Sequence, residues 1–264
     1  MHPGGTELGA AIKGVVLAGG TGSRLFPLTK VTNKHLLPVG RYPMIYYPIA
    51  KLLRAGVADI LVVTGVDHMG DVVTLLGSGR QWGAQFTYRV QDRPGGIAQA
   101  LALAGDFVGE ALSVVILGDN IFEADIAPFV EAFAAQGGGA RLLLKSVPDP
   151  ERYGVAEVSQ GRIVGIEEKP AVPKSALCVT GIYMYDASVF PVIETLTPSD
   201  RGELEITDVN NYYIGLGRLH YDELPGWWTD AGTIRSLRLA NELAMGLGED
   251  VVPGAIAETA AALL

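Results

Sequence analysis

The chain has 264 residues, 48% of them hydrophobic, so it can bury the core of one large α/β domain or of one domain with a modest appendage. A net charge of −9 at pH 7 argues against a surface that is basic over a whole face, as nucleic-acid-binding surfaces usually are. The sequence contains no run of about 18 apolar residues, the length needed to span a bilayer, and its N-terminus lacks a signal-peptide pattern. The single cysteine, Cys178, rules out an internal disulfide. We therefore expect a cytoplasmic protein that binds neither nucleic acid nor membrane.

The two ends of the chain differ in texture from the rest. Residues 1–12 are expected to form a flexible leader, and residues 246–264 an alanine-rich tail or a last helix. Residues 13–245 are predicted to form the functional domain. We expect its first part to extend over about 13–147 and its second over about 148–230.

The first predicted element is a buried parallel strand, followed at once by a glycine-rich loop. Residues 13–17 are rich in aliphatic side chains, and residues 18–25 carry the glycines together with Arg24. Successive N–H groups in such a loop form a concave site for phosphate, to which Arg24 would add a forked cation. The loop fits neither the Walker A motif nor the dinucleotide fingerprint, so an ordinary tight turn is the alternative.

Cations are concentrated in the same part of the sequence. No acidic residue lies between Glu7 and Asp59. The cations of this interval are Lys13, Arg24, Lys30, Lys34, Arg41, Lys51 and Arg54. An acidic protein with one cationic patch beside a glycine loop is suited to a small polyanionic ligand, whereas the alternative is chance clustering on a solvated face.

Strands and helices then alternate along the first part. Strands are predicted at 59–63, 85–90, 113–117 and 141–147. Helices are predicted at 42–54, 69–76 and 126–136, with Pro43 in the first turn of the first of them. Residues 91–102 form a second junction at which glycines precede a helix, a place that can hold a ligand through backbone groups.

The second part is richer in strands. Strand-like runs occupy 153–158, 162–166, 178–185 and 218–224, and residues 159–161 read as a hairpin connection. Helices are expected near 187–196 and 205–215, and a final helix after 227–233. The whole pattern predicts an α/β fold: a Rossmann-like, mixed but mostly parallel sheet flanked by helices, with a β-richer second lobe. Ligands of such sheets bind outside the carboxyl ends of the strands.

Asp119 directly follows the apolar strand at 113–117. A carboxylate at this edge is a natural ligand for a hard divalent cation, especially where phosphates supply the remaining oxygens. Aspartate also commonly caps a following helix, so the residue by itself leaves both roles open.

Ten motifs then occur in an order that resembles the sugar-1-phosphate nucleotidylyltransferases, over residues 13 to 244. The motifs are residues 17–29, 34–38, 43–48, 96–100, 117–122, 149–155, 167–170, 179–183, 201–208 and 228–233. The resemblance is greatest to the thymidylyltransferases. It implies direct attack of glucose 1-phosphate on the α-phosphorus of dTTP, giving dTDP-glucose and pyrophosphate, the first step towards deoxysugars such as rhamnose. It also implies Mg²⁺ as cofactor and a homo-oligomer.

The resemblance implies roles for individual residues. Those for the nucleotide are Leu17, Gly19, Gly20, Gly22, Ser23, Arg24, Gln91 and Gly96. Those for the sugar phosphate are Asn120, Gly154, Glu168, Lys169 and Val179. The catalytic residues would be Arg24, Lys34, Asp119, Lys169 and Asp230, of which the two aspartates would hold Mg²⁺.

Each role has a plainer alternative. Lys34 and Lys169 would then be solvated surface lysines, Asp230 a helix cap, and Gln91 the end of a strand. Two alternative functions are use of UTP or of another hexose 1-phosphate, and a catalytically silent sugar-nucleotide sensor. A sensor would be free to lose the five catalytic residues, all of which are present.

Three features depart from the family's pattern. His35 stands where thymidylyltransferases usually carry Gln, and an imidazole there is expected to change its charge near neutral pH. Tyr42 replaces the usual Lys. The sequence also ends earlier than those of longer members, which carry additional C-terminal helices that help to form a regulatory site and a tetramer interface. We therefore expect altered oligomerisation and weak end-product regulation.

Overall fold

The computed structural model describes residues 11–247, so the expected leader and the expected C-terminal tail fall almost wholly outside the described residues. The strands are β1 Ile12–Ala18, β2 Pro38–Val39, β3 Tyr42–Pro43, β4 Asp59–Gly65, β5 Gln85–Gln91, β6 Leu112–Leu117, β7 Asn120–Phe122, β8 Ala140–Ser146, β9 Gly154–Ser159, β10 Arg162–Glu168, β11 Leu177–Tyr185, β12 Leu219–Glu223 and β13 Trp228–Asp230. The helices are α1 Tyr46–Arg54, α2 Met69–Leu76, α3 Ile97–Ala102, α4 Gly105–Val108, α5 Ala127–Gln136, α6 Val189–Glu194, α7 Ile206–Gly215 and α8 Ile234–Ala244. None of these helices is long and apolar enough to cross a membrane.

Nine of the strands form one mixed sheet. Its main order is β10-β9-β11-β6-β1-β4-β5, with β8 pairing β11 and β12. Strands β6, β1, β4 and β5 run parallel, whereas β11 is antiparallel to β6, β8 and β9. The mixed α/β sheet predicted from the sequence is confirmed. The strands of residues 154–185 extend this sheet and do not form a separate one.

Two buried cores lie on opposite faces of the sheet. Along β1, Val16 and Ala18 belong to one core, and Val15 and Leu17 to the other. Helices α1, α2 and α5 contribute to the first core, and α3, α4, α6 and α7 to the second. Since successive side chains of a strand point to opposite faces, a strand covered on both sides is apolar throughout.

A two-stranded ribbon lies beside the large sheet. Strand β7 pairs antiparallel with β13, which places Asp230 opposite Asn120. Helix α8 follows and begins with a capping box. The Thr233 hydroxyl accepts from the Ser236 N–H, and the Ser236 hydroxyl accepts from the Thr233 N–H. A third apolar cluster packs α8 against the segment after the glycine loop.

Most predicted elements are confirmed with shifts of one or two residues, but the helix predicted at 42–54 begins only at Tyr46. Tyr42 and Pro43 instead pair with Pro38 and Val39 in a small hairpin, so Pro43 is not a first-turn proline. The helix-cap alternatives for the two aspartates are also wrong. Strand β7 follows Asp119, and the cap of α8 is Thr233, not Asp230.

Candidate active site

Two cavities open where the parallel strands β1 and β6 end, and they share Arg24, Ile97, Leu117 and Asp119. We call the first the loop cavity; its other lining residues are Leu17, Gly19, Gly20, Lys34, Gln91, Pro94, Gly96, Ala100 and Glu203. We call the second the sheet cavity; its lining includes Asn120, Arg152, Tyr153, Gly154, Glu168, Lys169, Val179, Thr207, Trp228 and Asp230. A ligand in either cavity therefore reaches Asp119.

The glycine loop owes its shape to positions where a side chain is not tolerated. Gly20 and Gly22 have φ values of 90° and 62°, in the left-handed region that favours glycine. A methyl group on Gly19 would lie 2.3 Å from the Gln91 Oε1 atom. Gly19 and Gly20 line the loop cavity, whereas the predicted ligands Gly22 and Ser23 are not part of either cavity wall.

Asp119 and Lys34 form a close ion pair. The Lys34 Nζ atom lies 2.6 Å from Asp119 Oδ2, and only 14% and 11% of the two side chains is exposed. Burial alone would raise the pKa of Asp119, but the neighbouring ammonium holds it well below its usual range. Asp119 is therefore charged over the whole physiological pH range, and Lys34 is not a solvated surface lysine.

Asp230 has a different environment. Its Oδ1 atom accepts from the Tyr153 hydroxyl at 2.8 Å and from Arg152 Nη2 at 3.1 Å. Burial, followed by repulsion from Asp119, raises the pKa of Asp230, although Tyr153, Arg152 and Arg24 oppose this effect. The two carboxylates therefore interact with each other and are balanced by separate cations.

One oxygen of each carboxylate lies near Gly232. A methyl group on Gly232 would lie 3.2 Å from Arg24 Nη2, 3.3 Å from Asp230 Oδ2 and 3.5 Å from Asp119 Oδ2, so the two carboxylates and the Arg24 guanidinium approach one point. Within residues 11–247, no group of three or more His, Cys, Asp or Glu side chains is arranged to hold a metal. Two neighbouring carboxylates suit a hard cation whose other ligands are oxygens of phosphates or water.

Asn120 links three strands next to Asp119. Its Oδ1 atom accepts from the Gly181 N–H at 2.9 Å and from the Trp228 indole at 2.7 Å, and its Nδ2 atom lies 3.2 Å from Asp119 Oδ1. A Cβ on Gly181 would lie 2.5 Å from Asn120 Nδ2. The carboxamide is thus bound to protein on both sides, and Trp228 acts in packing and in holding Asn120.

Charged groups of the sheet cavity are already paired with one another. Glu168 accepts from the Thr207 hydroxyl at 2.8 Å, and both Lys169 and Arg201 lie 3.3 Å from its Oε1 atom. Gly154 and Val179 border the same cavity. Sequence reasoning missed Thr207, Arg201 and Arg152, although all three lie in quoted motifs, 201–208 and 149–155.

The expected cationic patch is smaller than the sequence indicates. Lys13 donates to the Phe107 carbonyl and faces Asp59, at the opposite end of β1 from the glycine loop. Lys51 is buried and donates to the carbonyls of Glu123 and Ala124. Arg24 and Lys34 do reach the loop cavity, and Lys30 borders an adjoining cleft with Lys34.

His35 does not change its charge near neutral pH, contrary to the prediction. Its side chain is 1% exposed, and burial followed by the Lys34 charge lowers the pKa of His35 from 6.5 to about 3. The Nδ1 atom lies 2.8 Å from Asn33 Oδ1. The ring is therefore a neutral packing element of the loop, a burial that one sequence position does not reveal.

Residues 13–245 match the nucleotidyl transferase family, and the chain belongs to that family. A glucose-1-phosphate thymidylyltransferase of Xanthomonas campestris pv. campestris is 46% identical over 232 residues, covering 86% of this chain and 79% of the relative. The corresponding protein of an Actinoplanes species is 40% identical over 255 residues, covering 94% of this chain and 84% of the relative.

Solved structures agree with the fold. A Bacillus anthracis protein assigned as a glucose-1-phosphate thymidylyltransferase, crystallised with sucrose, has a TM-score of 0.87 and 62% identity, covering 90% of this chain and 97% of its own. A UDP-glucose pyrophosphorylase complexed with UDP-glucose has a TM-score of 0.79 at 21% identity, over 89% of this chain and 98% of its own. This second likeness extends to the fold alone.

Proposed function

We propose that this protein transfers a thymidylyl group from dTTP to glucose 1-phosphate, giving dTDP-glucose and pyrophosphate. One observation carries the proposal: the loop cavity and the sheet cavity share Asp119, and Asp230 lines the sheet cavity next to it. Two substrates held in the two cavities would present their phosphates to the same point. The thymidylyltransferases of Xanthomonas and Actinoplanes support this choice of substrates.

The chemistry needs positioning and charge neutralisation more than a strong nucleophile, because a sugar phosphate is already an anion. In our proposal Arg24 and Lys34, on the loop cavity, neutralise the triphosphate and the departing pyrophosphate. Lys169, on the sheet cavity, takes the phosphate of the sugar, while Glu168 faces the hexose hydroxyls. Gln91 and the Gly96 backbone read the base.

Asp119 and Asp230 would hold the divalent cation, which we propose to be Mg²⁺. When bound, the cation neutralises charge on the phosphate oxygens of both substrates. Lys34 and Arg152 are the counter-ions of these carboxylates in the structure. Each would be released towards phosphate as the site fills, so charge is balanced before and after loading.

The remaining features follow from the same assignment. Residues 13–147 would serve the nucleotide and residues 148–230 the sugar, on either side of the shared wall. We further propose that the protein acts in the cytoplasm as a homo-oligomer and supplies a route to deoxysugars such as rhamnose.

The direct test is pyrophosphate release across a grid of nucleoside triphosphates and hexose 1-phosphates, with and without Mg²⁺. We expect the highest kcat/KM for dTTP with glucose 1-phosphate and no release after chelation of the metal. Equal kcat/KM values for dTTP and UTP, which differ by a methyl group and a 2′-hydroxyl, would overturn the thymidylyl assignment. Binding of dTDP-glucose without release from any pair would instead indicate a sensor.

A further inference from the structure

The carboxamide of Gln91 is held in one orientation. Its Nε2 atom donates to Gln99 Oε1 at 2.6 Å and to the Gly96 carbonyl at 3.3 Å. A backbone carbonyl can only accept, so the nitrogen end of Gln91 must face helix α3. The oxygen end consequently faces away from that helix.

The free oxygen of Gln91 opens onto the loop cavity. Gln91 lines this cavity, and its Oε1 atom accepts no hydrogen bond from residues 11–247. It is also not among the fully buried side-chain atoms without a partner, of which the described residues contain Asn210 Nδ2 alone. Only glycine at position 19 leaves room for this oxygen, because a methyl group there would lie 2.3 Å from it.

A backbone donor lies next to this acceptor. The Gly96 N–H has no acceptor among the described residues, and Gly96 lines the same cavity. Position 96 requires glycine, because φ is 98° and a Cβ would lie 2.5 Å from the Leu204 carbonyl oxygen. The wall therefore presents one acceptor and one donor, the complement of an N–H and a C=O on a pyrimidine imide edge.

We propose that Gln99 is a positioning residue that helps to set which pyrimidine the site accepts. Its short hydrogen bond from Gln91 Nε2 adds to the longer one at the Gly96 carbonyl and so fixes the orientation of Gln91. The inference rests on the proposed function. Gln99 is half-buried on α3 and lines neither cavity, so it acts through Gln91. With Gln91 fixed, thymine and uracil offer an N–H to Oε1, whereas cytosine offers a ring nitrogen that is itself an acceptor.

Three substitutions of Gln99 separate orientation from packing. Gln99→Glu keeps an acceptor for Gln91 Nε2, Gln99→Met removes it at similar size, and Gln99→Lys offers a donor that favours the flipped amide. The measurement is the ratio of kcat/KM for dTTP to that for dCTP. Dissociation constants for both nucleotides, from calorimetry without sugar phosphate, provide a second readout.

We expect Gln99→Glu to keep the ratio of the unaltered protein within about threefold. Gln99→Met should lower it roughly tenfold, and Gln99→Lys by at least as much and up to about 100-fold, since an unpaired polar group at a recognition edge weakens binding by such factors. Most of the change should come from improved use of dCTP.

The matched control is Gln136→Met, on α5. Gln136 also donates to two carbonyls, those of Gly138 and Ala140, but it lies outside both cavities. This variant should leave the ratio unchanged. Equal losses for dTTP and dCTP in Gln99→Met, or an unchanged ratio in both Gln99→Met and Gln99→Lys, would overturn the positioning role. Failure of the unaltered protein to bind dTTP would overturn the proposed function itself.

Discussion

The two cavities of the site differ in how their polar groups are used. Around the loop cavity, the Gln91 oxygen and the Gly96 N–H have no partner among the described residues. Around the sheet cavity, Glu168 is bound by Thr207, Lys169 and Arg201. The Gln91–Gly96 wall of the loop cavity is open to a ligand as it stands, whereas the groups around Glu168 must exchange partners.

This difference has a thermodynamic meaning. A ligand that meets unpaired groups replaces only water, so at the Gln91–Gly96 wall its shape and hydrogen-bond pattern contribute directly to affinity. A ligand in the sheet cavity must replace protein partners of similar strength, and one that does so incompletely leaves charges unpaired. We therefore expect the nucleotide side to contribute most of the binding affinity. On the sugar side, a wrong ligand would be rejected because it leaves charged groups of the protein unpaired.

The largest effect is expected where the two sides meet. Asp119→Asn removes one of the two carboxylates and leaves Lys34 without its counter-ion. We expect kcat to fall on the order of 1,000-fold or more, measured as pyrophosphate release, with an unchanged circular dichroism spectrum. The matched control is Asp59→Asn, which removes a lysine-paired carboxylate at the opposite end of the sheet. Activity of Asp119→Asn within tenfold of the unaltered protein would contradict the metal role.

The second prediction concerns overpacking in the sheet next to the sheet cavity. In Gly181→Ala the new Cβ would meet the Asn120 carboxamide at 2.5 to 2.7 Å inside a buried strand. Overpacking of this kind costs about 1–3 kcal/mol of unfolding free energy, measurable by urea denaturation. Gly165→Ala is the control, because nothing lies within 4 Å of a Cβ there. Equal stability of the two variants would show that Asn120 moves freely.

The third prediction separates the two sides kinetically. Glu168→Gln keeps the shape of the side chain but removes the charge that Lys169 and Arg201 share. We expect KM for glucose 1-phosphate to rise roughly tenfold, since hydrogen bonds to charged groups are the stronger ones, while KM for dTTP changes less than about twofold. Glu157→Gln, which loses an exposed pair with Lys174, should change neither. Parallel rises in both KM values would remove the distinction between the sides.

The smallest effect concerns the neutral ring beneath the loop. The folded chain keeps His35 neutral down to about pH 3, whereas the unfolded chain takes up a proton below 6.5. Lowering the pH through 6.5 therefore favours unfolding, although Asp119 attracts and Lys34 repels the added charge. Between pH 7 and 5.5, the unaltered protein should lose about 1.2 kcal/mol more stability than His35→Gln. If urea titrations show the same loss of unfolding free energy in the unaltered protein and in His35→Gln, the folded protein must bind a proton at His35.

The sequence predicts the strands well because a strand segment buried on both faces must be apolar, as residues 14–18 of β1 and 114–117 of β6 are. The sequence also gives most of the residues that lie together at the site, because they belong to motifs that occur in a recognisable order. It misses what depends on three-dimensional pairing. The hairpin at Tyr42 needs Val39 as partner, and the neutral state of His35 needs its burial. Lys13 and Lys51 turn away from the loop for the same reason, since carbonyls elsewhere bind them.

The continuous sheet has a consequence for motion. Strand β11 pairs with β6 from Ile182 to Tyr185, and β6 pairs in turn with β1, which leads into the glycine loop. Backbone hydrogen bonds thus connect the floors of both cavities without a hinge between them. Opening for substrates and product then falls to the loops above this floor, and the spacing between the two bound molecules is set when the chain folds.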